Sequence, residues 1–190
     1  MKIGLFFGSF NPVHTGHMII ANHMAHRTDL DQVWLVVSPQ NPLKPAASLA
    51  NDYDRLHLVQ LAIADNPRLR ASKVEFSLPK PSYTIDTLTY LREKHPEHDF
   101  VLIMGGDNLN TLHKWKNYEK LLELYSIYIY KRPLYELGKL KDHPHIRIVE
   151  APLLDISATY IRESIKKGFN IQYLVPEPVY NYLLGSSMYK

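Results

Sequence analysis

The stretch that decides the fold is GSFNPVHTGH, residues 8–17, which joins two apolar segments of different periodicity. Residues 3–7 before it form a short continuous apolar run of the kind found in buried strands. Residues 18–25 after it repeat apolar side chains at helical spacing. The sequence therefore predicts a strand that feeds a helix through this turn, and the start of that helix offers unpaired N–H groups to an anion.

The residue types within this turn predict a phosphate-binding cradle. Gly8 and Gly16 lack side chains, so a phosphate can approach the backbone closely at both positions. His14 and His17 are three residues apart and would share one face of the first helical turn. We interpret the turn as a triphosphate site built from backbone N–H groups and two imidazoles.

A second pair with the same spacing, His95 and His98, provides an internal comparison. It lies in KHPEHD, residues 94–99, a charged segment without glycine and without a preceding strand-like run. We interpret this second pair as solvated surface. For His14 and His17, the absence of cysteine from the chain and of a glutamate between them argues against a zinc site.

The composition limits the class of protein. With 190 residues, 45% hydrophobic and 22% charged, the chain is expected to form one domain, residues 1–190, with a small helical subregion from about residue 155. A net charge of +3 without a dense Lys/Arg run suits phosphorylated small molecules as well as nucleic acid. The chain has no cysteine to serve as a nucleophile, and no segment typical of a signal peptide or a membrane span. We expect a cytoplasmic protein with neither a nucleic-acid nor a membrane partner.

Strand-like and helix-like segments alternate along the chain. Residues 39–51 contain three prolines and are predicted to form a mobile loop. The alternation predicts an α/β fold in which helices cover both faces of a parallel sheet. Ligands bind beyond the carboxyl ends of such strands, where Gly8, Ser38, Gly105 and the loop before Ser157 are expected. Strands are predicted at residues 2–7, 33–38, 73–77, 100–104, 126–131 and 146–150, and helices at residues 15–28, 52–64, 84–93, 117–124, 158–167 and 179–184.

A second candidate anion site lies in ISATYIR, residues 156–162. If Ser157 caps a helix here, Thr159 and Arg162 lie on one face of its first turn. A helix start with hydroxyl groups and a guanidinium binds phosphate well. The alternative is an ordinary capped amphipathic helix with its isoleucines facing the core. Together with the first motif, a shared triphosphate becomes the better explanation.

These two stretches resemble the (H/T)xGH and ISSTxIR motifs of the nucleotidyltransferase superfamily. Four further segments are similar to the bacterial nicotinate-nucleotide adenylyltransferase family, and the resemblance covers essentially the whole chain in order. Phe7, Leu43, Gly106 and Ala158 depart from the usual residues of the family, but none of them removes a charged or imidazole group from the expected phosphate site. The four segments are SPQNPLK at 38–44, PSYTIDTL at 81–88, GGDNLNTLHKW at 105–115 and KRP at 131–133.

The resemblance implies a Rossmann-like, doubly wound parallel sheet of the nucleotidyltransferase type. It implies an enzyme that joins ATP to nicotinate mononucleotide and releases pyrophosphate, giving nicotinate adenine dinucleotide for NAD biosynthesis. Transfer would proceed by direct in-line attack without a covalent intermediate. Mg²⁺ would be carried by the ATP phosphates, with no metal ligand from the protein.

The resemblance also implies roles for individual residues, with His14, His17 and Arg162 as the catalytic set. For three of the others there is a simpler interpretation, since Trp115 suits plain packing, Asp107 a turn and Lys44 a solvent-exposed position. The mononucleotide would contact Asn11, Lys44, Tyr83, Thr84, Trp115 and Arg132. ATP would contact Gly8, Ser9, Phe10, His14, Gly16, His17, Gly105, Asp107, Ile156, Ser157, Thr159 and Arg162.

Two alternatives stay open at this point. A sister adenylyltransferase would use nicotinamide mononucleotide or phosphopantetheine. Tyr83, Thr84 and Trp115 favour a pocket for a planar ring and so argue against phosphopantetheine, whereas the preference for the acid over the amide is implied by the resemblance alone. An alternative of a different class is a non-catalytic module that senses nucleotides or binds RNA. The presence of His14, His17 and Arg162 argues against it.

Overall fold

The computed structural model describes residues 1–39, 49–131 and 137–190. Within these ranges, a six-stranded sheet is flanked by seven α-helices. The strands are β1 (Lys2–Gly8), β2 (Gln32–Val37), β3 (Leu69–Ser72), β4 (Asp99–Gly105), β5 (Ile127–Tyr130) and β6 (Ile146–Val149). The helices are α1 (Thr15–Arg27), α2 (Asp52–Ile63), α3 (Thr84–Lys94), α4 (Gly106–Thr111), α5 (Tyr118–Leu124), α6 (Ala158–Lys166) and α7 (Glu177–Gly185).

The strand order is β3-β2-β1-β4-β5-β6, and every neighbouring pair is parallel. This is the Rossmann order, and it confirms the predicted fold class. The order reverses between β1 and β4, where Phe6 lies opposite Ile103. Ligands of such sheets bind in the crevice outside the carboxyl ends at this switch point. Gly8 and Gly105 end the two strands there.

The core consists of two apolar layers, one on each face of the sheet. Successive residues of β2 alternate between them, with Val33 and Leu35 in one layer and Trp34 and Val36 in the other. The first layer is completed by side chains of α1, α2, α6 and α7, and the second by side chains of α3, α4 and α5. Because both faces are covered, the central strands are largely apolar rather than alternating, whereas the edge strands β3 and β6 each carry an exposed arginine.

Most elements lie within about two residues of their predicted bounds, but the strand predicted at 73–77 is wrong. The edge strand is β3, and Val74–Ser77 forms a 3₁₀ turn instead. The alternation of polar and apolar residues in this segment was misleading because Glu75 is buried, and its Oε1 accepts a hydrogen bond from the Thr87 hydroxyl at 2.8 Å. The short helix α4 was not predicted, since its residues, GDNLNT, are mostly poor helix formers.

Residues 40–48 of the predicted loop, including Lys44, lie outside the described residues, and so does Arg132. The described end of that loop leads into α2, where the Asn51 side chain accepts a hydrogen bond from the Tyr53 N–H at 2.9 Å and caps the helix. Among the described helices, none has the length and apolar character needed to cross a membrane.

Candidate active site

The turn between β1 and α1 is folded tightly around an aromatic side chain. Phe10 has a φ of 45°, and its ring turns back beneath the strand end, where it is almost fully buried. A Cβ atom on Gly8 would lie 2.8 Å from that ring. Glycine is therefore required here by close packing, and the Phe10 ring fixes the course of the turn. Its edge-to-face contact with Phe6, at 5.8 Å between centroids, anchors it to the sheet.

The two histidines of this turn stack on each other. Their ring centroids are 3.6 Å apart with an interplanar angle of 28°, and a Cβ on Gly16 would touch the His14 ring at 3.1 Å. The backbone N–H of His14 donates a hydrogen bond to His17 Nδ1 at 3.2 Å. Because Nδ1 accepts this bond, the neutral His17 ring carries its proton on Nε2. His17 thus has a defined tautomer and a single ring donor.

The second motif forms a capped helix start, as predicted. Ser157 Oγ accepts a hydrogen bond from the Tyr160 N–H at 3.1 Å at the start of α6. Arg162 donates to the Thr159 hydroxyl at 3.3 Å, which places both on one face. Ile161 is fully buried, so the apolar face of the alternative interpretation is also present. The helix packs through that face and leaves its polar face toward the first motif.

A direct hydrogen bond joins the two motifs. The Arg162 guanidinium donates to the backbone oxygen of Asn11 at 2.9 Å, across 151 residues of sequence. The start of α6 is therefore held against the turn that precedes α1. Two helix N-termini, a guanidinium and an imidazole donor meet at the switch point of the sheet, where they can act together on a polyphosphate.

The end of β4 borders the same turn. A Cβ on Gly105 would contact the Asp107 carboxylate and lie 3.1 Å from the Tyr130 ring, so a side chain here would displace one or both of them. Tyr130 makes an edge-to-face contact with Phe6 at 6.0 Å between centroids. The rings of Tyr130 and Phe6 therefore connect Gly105 to Phe10.

Tyr83, Thr84 and Trp115 lie at the start of α3 and in the segment between α4 and α5. Tyr83 is the N-cap of α3, and the ammonium of Lys116 lies 4.8 Å above its ring centroid. Lys116 also pairs with Asp86 at 2.7 Å, which fixes the segment containing Trp115 against the start of α3. Tyr83 and Trp115 are both half-buried against the second apolar layer. The predicted planar-ring residues thus lie on adjoining segments.

Arg55 is a site component that sequence reasoning missed. It is fully buried on α2, and its guanidinium donates to the backbone oxygens of Ser9, of Ser38 at 2.9 Å and of Ala50 at 3.0 Å. It also pairs with Asp52 at 2.7 Å. Arg55 therefore binds together the loops that follow β1 and β2. An Asp and an Arg three apart on a helix are typical of a surface pair, so the sequence carried no signal of this role.

Asn11 lies between these segments and is buried. Its Oδ1 accepts hydrogen bonds from the Ala50 N–H at 3.1 Å and from the Tyr189 hydroxyl at 2.8 Å. Its side chain thus connects the turn to the start of α2 and to the segment after α7. A contact between Asn11 and the mononucleotide stays a prediction. Tyr189 was not predicted from the sequence, because nothing in the local pattern indicates a partner 178 residues away.

The surroundings of the site combine cationic groups with one buried acid. Burial raises the pKa of Glu75, which lies behind the start of α3, so this carboxyl is more easily protonated than an exposed one. Beyond the carboxyl ends of β5 and β6 an open cavity of about 290 Å³ is lined by Lys131, Glu150, Ala151 and Leu153. The lining of this cavity thus carries one cationic and one anionic side chain, Lys131 and Glu150.

A doubly wound sheet with paired histidines at its first turn and an arginine-bearing helix start docked onto them defines a nucleotidyltransferase. The family model described as cytidylyltransferase-like matches residues 5–164, which include the motif of the first turn at 8–17 and the second motif at 156–162. The sequence relatives narrow the class further.

One relative, from Cytophaga hutchinsonii, is named a probable nicotinate-nucleotide adenylyltransferase and is 57% identical over 100% of this chain and 98% of its own length. A relative of the same name from Flavobacterium psychrophilum is 54% identical, with both chains covered completely. A third, from Bacteroides fragilis, is 42% identical over 96% of this chain and 91% of its own. The chain belongs to the nicotinate-nucleotide adenylyltransferase family.

Solved structures share the fold. The nicotinic acid mononucleotide adenylyltransferase of Plasmodium falciparum complexed with NaAD superposes with a TM-score of 0.84, covering 99% of this chain and 97% of that one at 20% identity. The same protein complexed with APC gives a TM-score of 0.83 at 20% identity, covering 99% of this chain and 96% of that one. At this identity the match concerns the architecture of the chain.

Proposed function

We propose that this protein transfers the adenylyl group of ATP to nicotinate mononucleotide, forming nicotinate adenine dinucleotide and pyrophosphate in NAD biosynthesis. The observation that carries the proposal is the 2.9 Å bond from Arg162 to the Asn11 oxygen, which unites the two phosphate-binding helix starts beside His17. The names of the relatives supply the identity of the acceptor.

The residues at the site suit a direct transfer. The mononucleotide phosphate is anionic at neutral pH, so no base has to activate it. One of its oxygens attacks the α-phosphorus of ATP, a new P–O bond forms, and the bond between the α-phosphorus and the bridging oxygen breaks. The electron pair leaves with pyrophosphate, so the protein must align two phosphates and stabilise charge on the departing one.

His14, His17 and Arg162 would supply that stabilisation. His17 has its proton on Nε2 and would donate to the triphosphate, while the stacked His14 holds the orientation of its ring. Arg162, with Ser157 and Thr159, would bind the β- and γ-phosphates at the start of α6. Each such charge-assisted bond contributes about 1.5–3 kcal/mol, or roughly ten- to a hundredfold in rate if it forms only in the transition state.

The remaining ATP contacts would line the crevice at the switch point. Gly8 and Gly105 end the two strands that border the crevice, and the nucleotide would pass along the backbone there. Asp107 would accept hydrogen bonds from the ribose hydroxyls. The other residues proposed to contact ATP are Ser9, Phe10, Gly16 and Ile156.

The nicotinate ring would bind between the start of α3 and Trp115. The indole Nε1 of Trp115 and the hydroxyl of Ser82 are buried and have no hydrogen-bond partner among the residues described, so a ligand with acceptor atoms would satisfy them. Tyr83 and Thr84 would complete this pocket. The prediction that Lys44 and Arg132 contact the mononucleotide concerns residues outside the described ranges.

Mg²⁺ would enter the reaction on the triphosphate. Imidazole N–H, guanidinium and backbone N–H groups contact anions, so this donor set leaves the metal to the phosphate oxygens, which are the ligands that Mg²⁺ prefers. When bound, the ion would offset charge on the leaving pyrophosphate. We further propose that residues 1–190 act as one domain and that the protein works in the cytoplasm, where ATP is available.

The test is pyrophosphate release with Mg-ATP and, in separate reactions, nicotinate mononucleotide, nicotinamide mononucleotide and phosphopantetheine. Strong release with the acid, weak release with the amide and none with phosphopantetheine is the expected result. Strong release with phosphopantetheine would overturn the assignment of the acceptor. No release with any acceptor, from folded protein that binds ATP, would favour a nucleotide-sensing module.

A further inference from the structure

Tyr189 has an unusual backbone conformation. It lies after α7 in a turn that the Lys190 N–H closes on the Ser187 oxygen at 3.3 Å. Its φ is 66°, in the left-handed region, and the third position of a turn with positive φ is normally glycine or asparagine. A bulky residue held there costs conformational energy, so its side chain must make contacts that offset this cost.

The side chain of Tyr189 makes such contacts. Its ring packs against the first apolar layer, and its hydroxyl donates to Asn11 Oδ1 at 2.8 Å. Burial raises the pKa of Tyr189 above its ordinary value, although the nearby charges of Arg55 and Arg162 oppose this in part. The hydroxyl therefore keeps its proton and remains a donor throughout the working pH range.

Asn11 connects Tyr189 to Arg162 at the phosphate end of the site. Its side chain is held by Tyr189 and by the Ala50 N–H, while its backbone oxygen accepts from Arg162 at 2.9 Å. A change in the orientation of the Asn11 side chain would move the peptide group that positions the guanidinium. Tyr189 thus contacts the side chain of Asn11, and Arg162 contacts its backbone oxygen.

We propose that Tyr189 is a positioning residue that acts through Asn11 to hold Arg162 in place for ATP. Tyr189 itself does not contact substrate. The proposal rests on the proposed function, because the polyphosphate is the group that Arg162 would bind. It predicts a defect in the use of ATP that exceeds any defect in the binding of the mononucleotide, which Asn11 is also predicted to contact.

The chain offers a matched control in Tyr182 on α7. Its ring makes an edge-to-face contact with His57 at 4.9 Å between centroids, and its side chain is partly exposed. Tyr182→Phe and Tyr189→Phe each remove one hydroxyl group and keep the ring. Only the second change removes a hydrogen bond to the site.

The experiment measures KM for each substrate, kcat, and the Kd for ATP by calorimetry in wild type, Tyr189→Phe and Tyr182→Phe. Tyr189→Phe is expected to lower kcat/KM for ATP and weaken ATP binding about five- to tenfold, the value of one hydrogen bond. The KM for the mononucleotide should change less than the KM for ATP, and the melting temperature should stay close to wild type. The loss should be the same at pH 6.5 and pH 8.5, because the hydroxyl does not ionise between them. Tyr182→Phe should match wild type throughout.

A double-mutant cycle with Asn11→Ala tests the route of the effect. If Tyr189 acts through Asn11, then Tyr189→Phe causes no further loss for ATP in the Asn11→Ala background. Fully additive losses would overturn the proposal, as would wild-type ATP parameters in Tyr189→Phe. If Tyr189→Phe is unstable, Asn11→Ala removes the same hydrogen bond by eliminating its acceptor. Asn11→Ala must then weaken ATP binding at least as much as is expected for Tyr189→Phe. Failure of the proposed function can be told apart from failure of this proposal. In the first case wild type releases no pyrophosphate, and the effect of Tyr189→Phe on the Kd for ATP can still be measured.

Discussion

The two His-x-x-His pairs of this chain have the same spacing and lie at opposite ends of the strands. We call these two ends of the sheet its carboxyl edge and its amino edge. His14 and His17 follow the carboxyl end of β1, with their rings stacked at 3.6 Å between centroids. His95 and His98 precede β4 at its amino end, with nearly parallel rings 5.7 Å apart. The second pair faces the exposed Glu97 carboxylate, at 3.6 Å from His95 and 3.4 Å from His98.

The difference shows that the same spacing can place two histidines in very different surroundings. His17 has a defined tautomer because a backbone N–H binds its Nδ1, and Phe10 packs against its edge at 5.0 Å between centroids. The parallel strands also point their carboxyl ends, and with them the following helix starts, toward the first pair. The amino edge of the sheet has none of these donors arranged around a shared crevice in the part of the chain described. The following predictions test this contrast, from the largest effect to the smallest.

The largest effect is expected at the carboxyl edge, for His17→Ala. Loss of the Nε2 donor should lower kcat about a hundredfold. Only a small change in melting temperature is expected, since the side chain is half-buried and meets β1 through an edge-to-face contact with Phe6, at 6.2 Å between centroids. Steady-state kinetics together with thermal unfolding measure this. Near-normal turnover in folded protein would remove His17 from the mechanism.

A smaller loss is expected for Arg162→Lys. An ammonium keeps the charge but cannot present the planar fork that contacts Asn11 and Thr159 at the same time. We expect kcat/KM for ATP to fall about ten- to thirtyfold, while the KM for the mononucleotide changes little. Equal losses for both substrates would mean that Arg162 is not specific to the ATP side.

At the amino edge, Asp29→Asn should affect stability without affecting catalysis. Hydrogen bonds from Lys2 and Tyr128 lower the pKa of Asp29 from 3.8 to about 2. A lowered pKa in the folded state stabilises above pH 3.8, and this contribution is lost as the pH falls through about 2. Because Asp29 is half-exposed, solvent screening limits the effect to about 1 kcal/mol or less.

Urea unfolding of wild type and Asp29→Asn at several pH values measures that difference. The free energy of unfolding should differ at pH 6, and the two curves should converge as the pH approaches 2. A difference that is independent of pH would show that the carboxylate charge of Asp29 is not what stabilises this edge. Turnover at pH 7.5 should be the same in both proteins.

The smallest effect is expected for the double variant His95→Ala, His98→Ala. Both side chains lie outside the crevice, so kcat and both KM values should stay within about twofold of wild type, in the range of ordinary surface substitutions. A large loss of activity in the folded double variant would break the contrast between the two edges.

Much of this architecture could be predicted from the sequence, because apolar runs and helix caps are local signals. The turn around Gly8, the capping by Ser157 and the alternation of elements all depend on neighbouring residues. The contacts of Arg55 and Tyr189 could not be predicted, since each joins segments that meet only after the strands have paired in their final order. The segment 73–77 was predicted wrongly for a related reason: the environment of the buried Glu75 is set by α3, which comes later in the chain.

The bonds of Arg55 have a consequence for how the site opens. One guanidinium satisfies backbone oxygens of Ser9, Ser38 and Ala50, so releasing any one of these segments leaves an unsatisfied polar group in the interior. Such a loss costs about 1–3 kcal/mol for each group. We therefore expect the three segments to open together in one subglobal step, with their amide protons exchanging with solvent at a common rate.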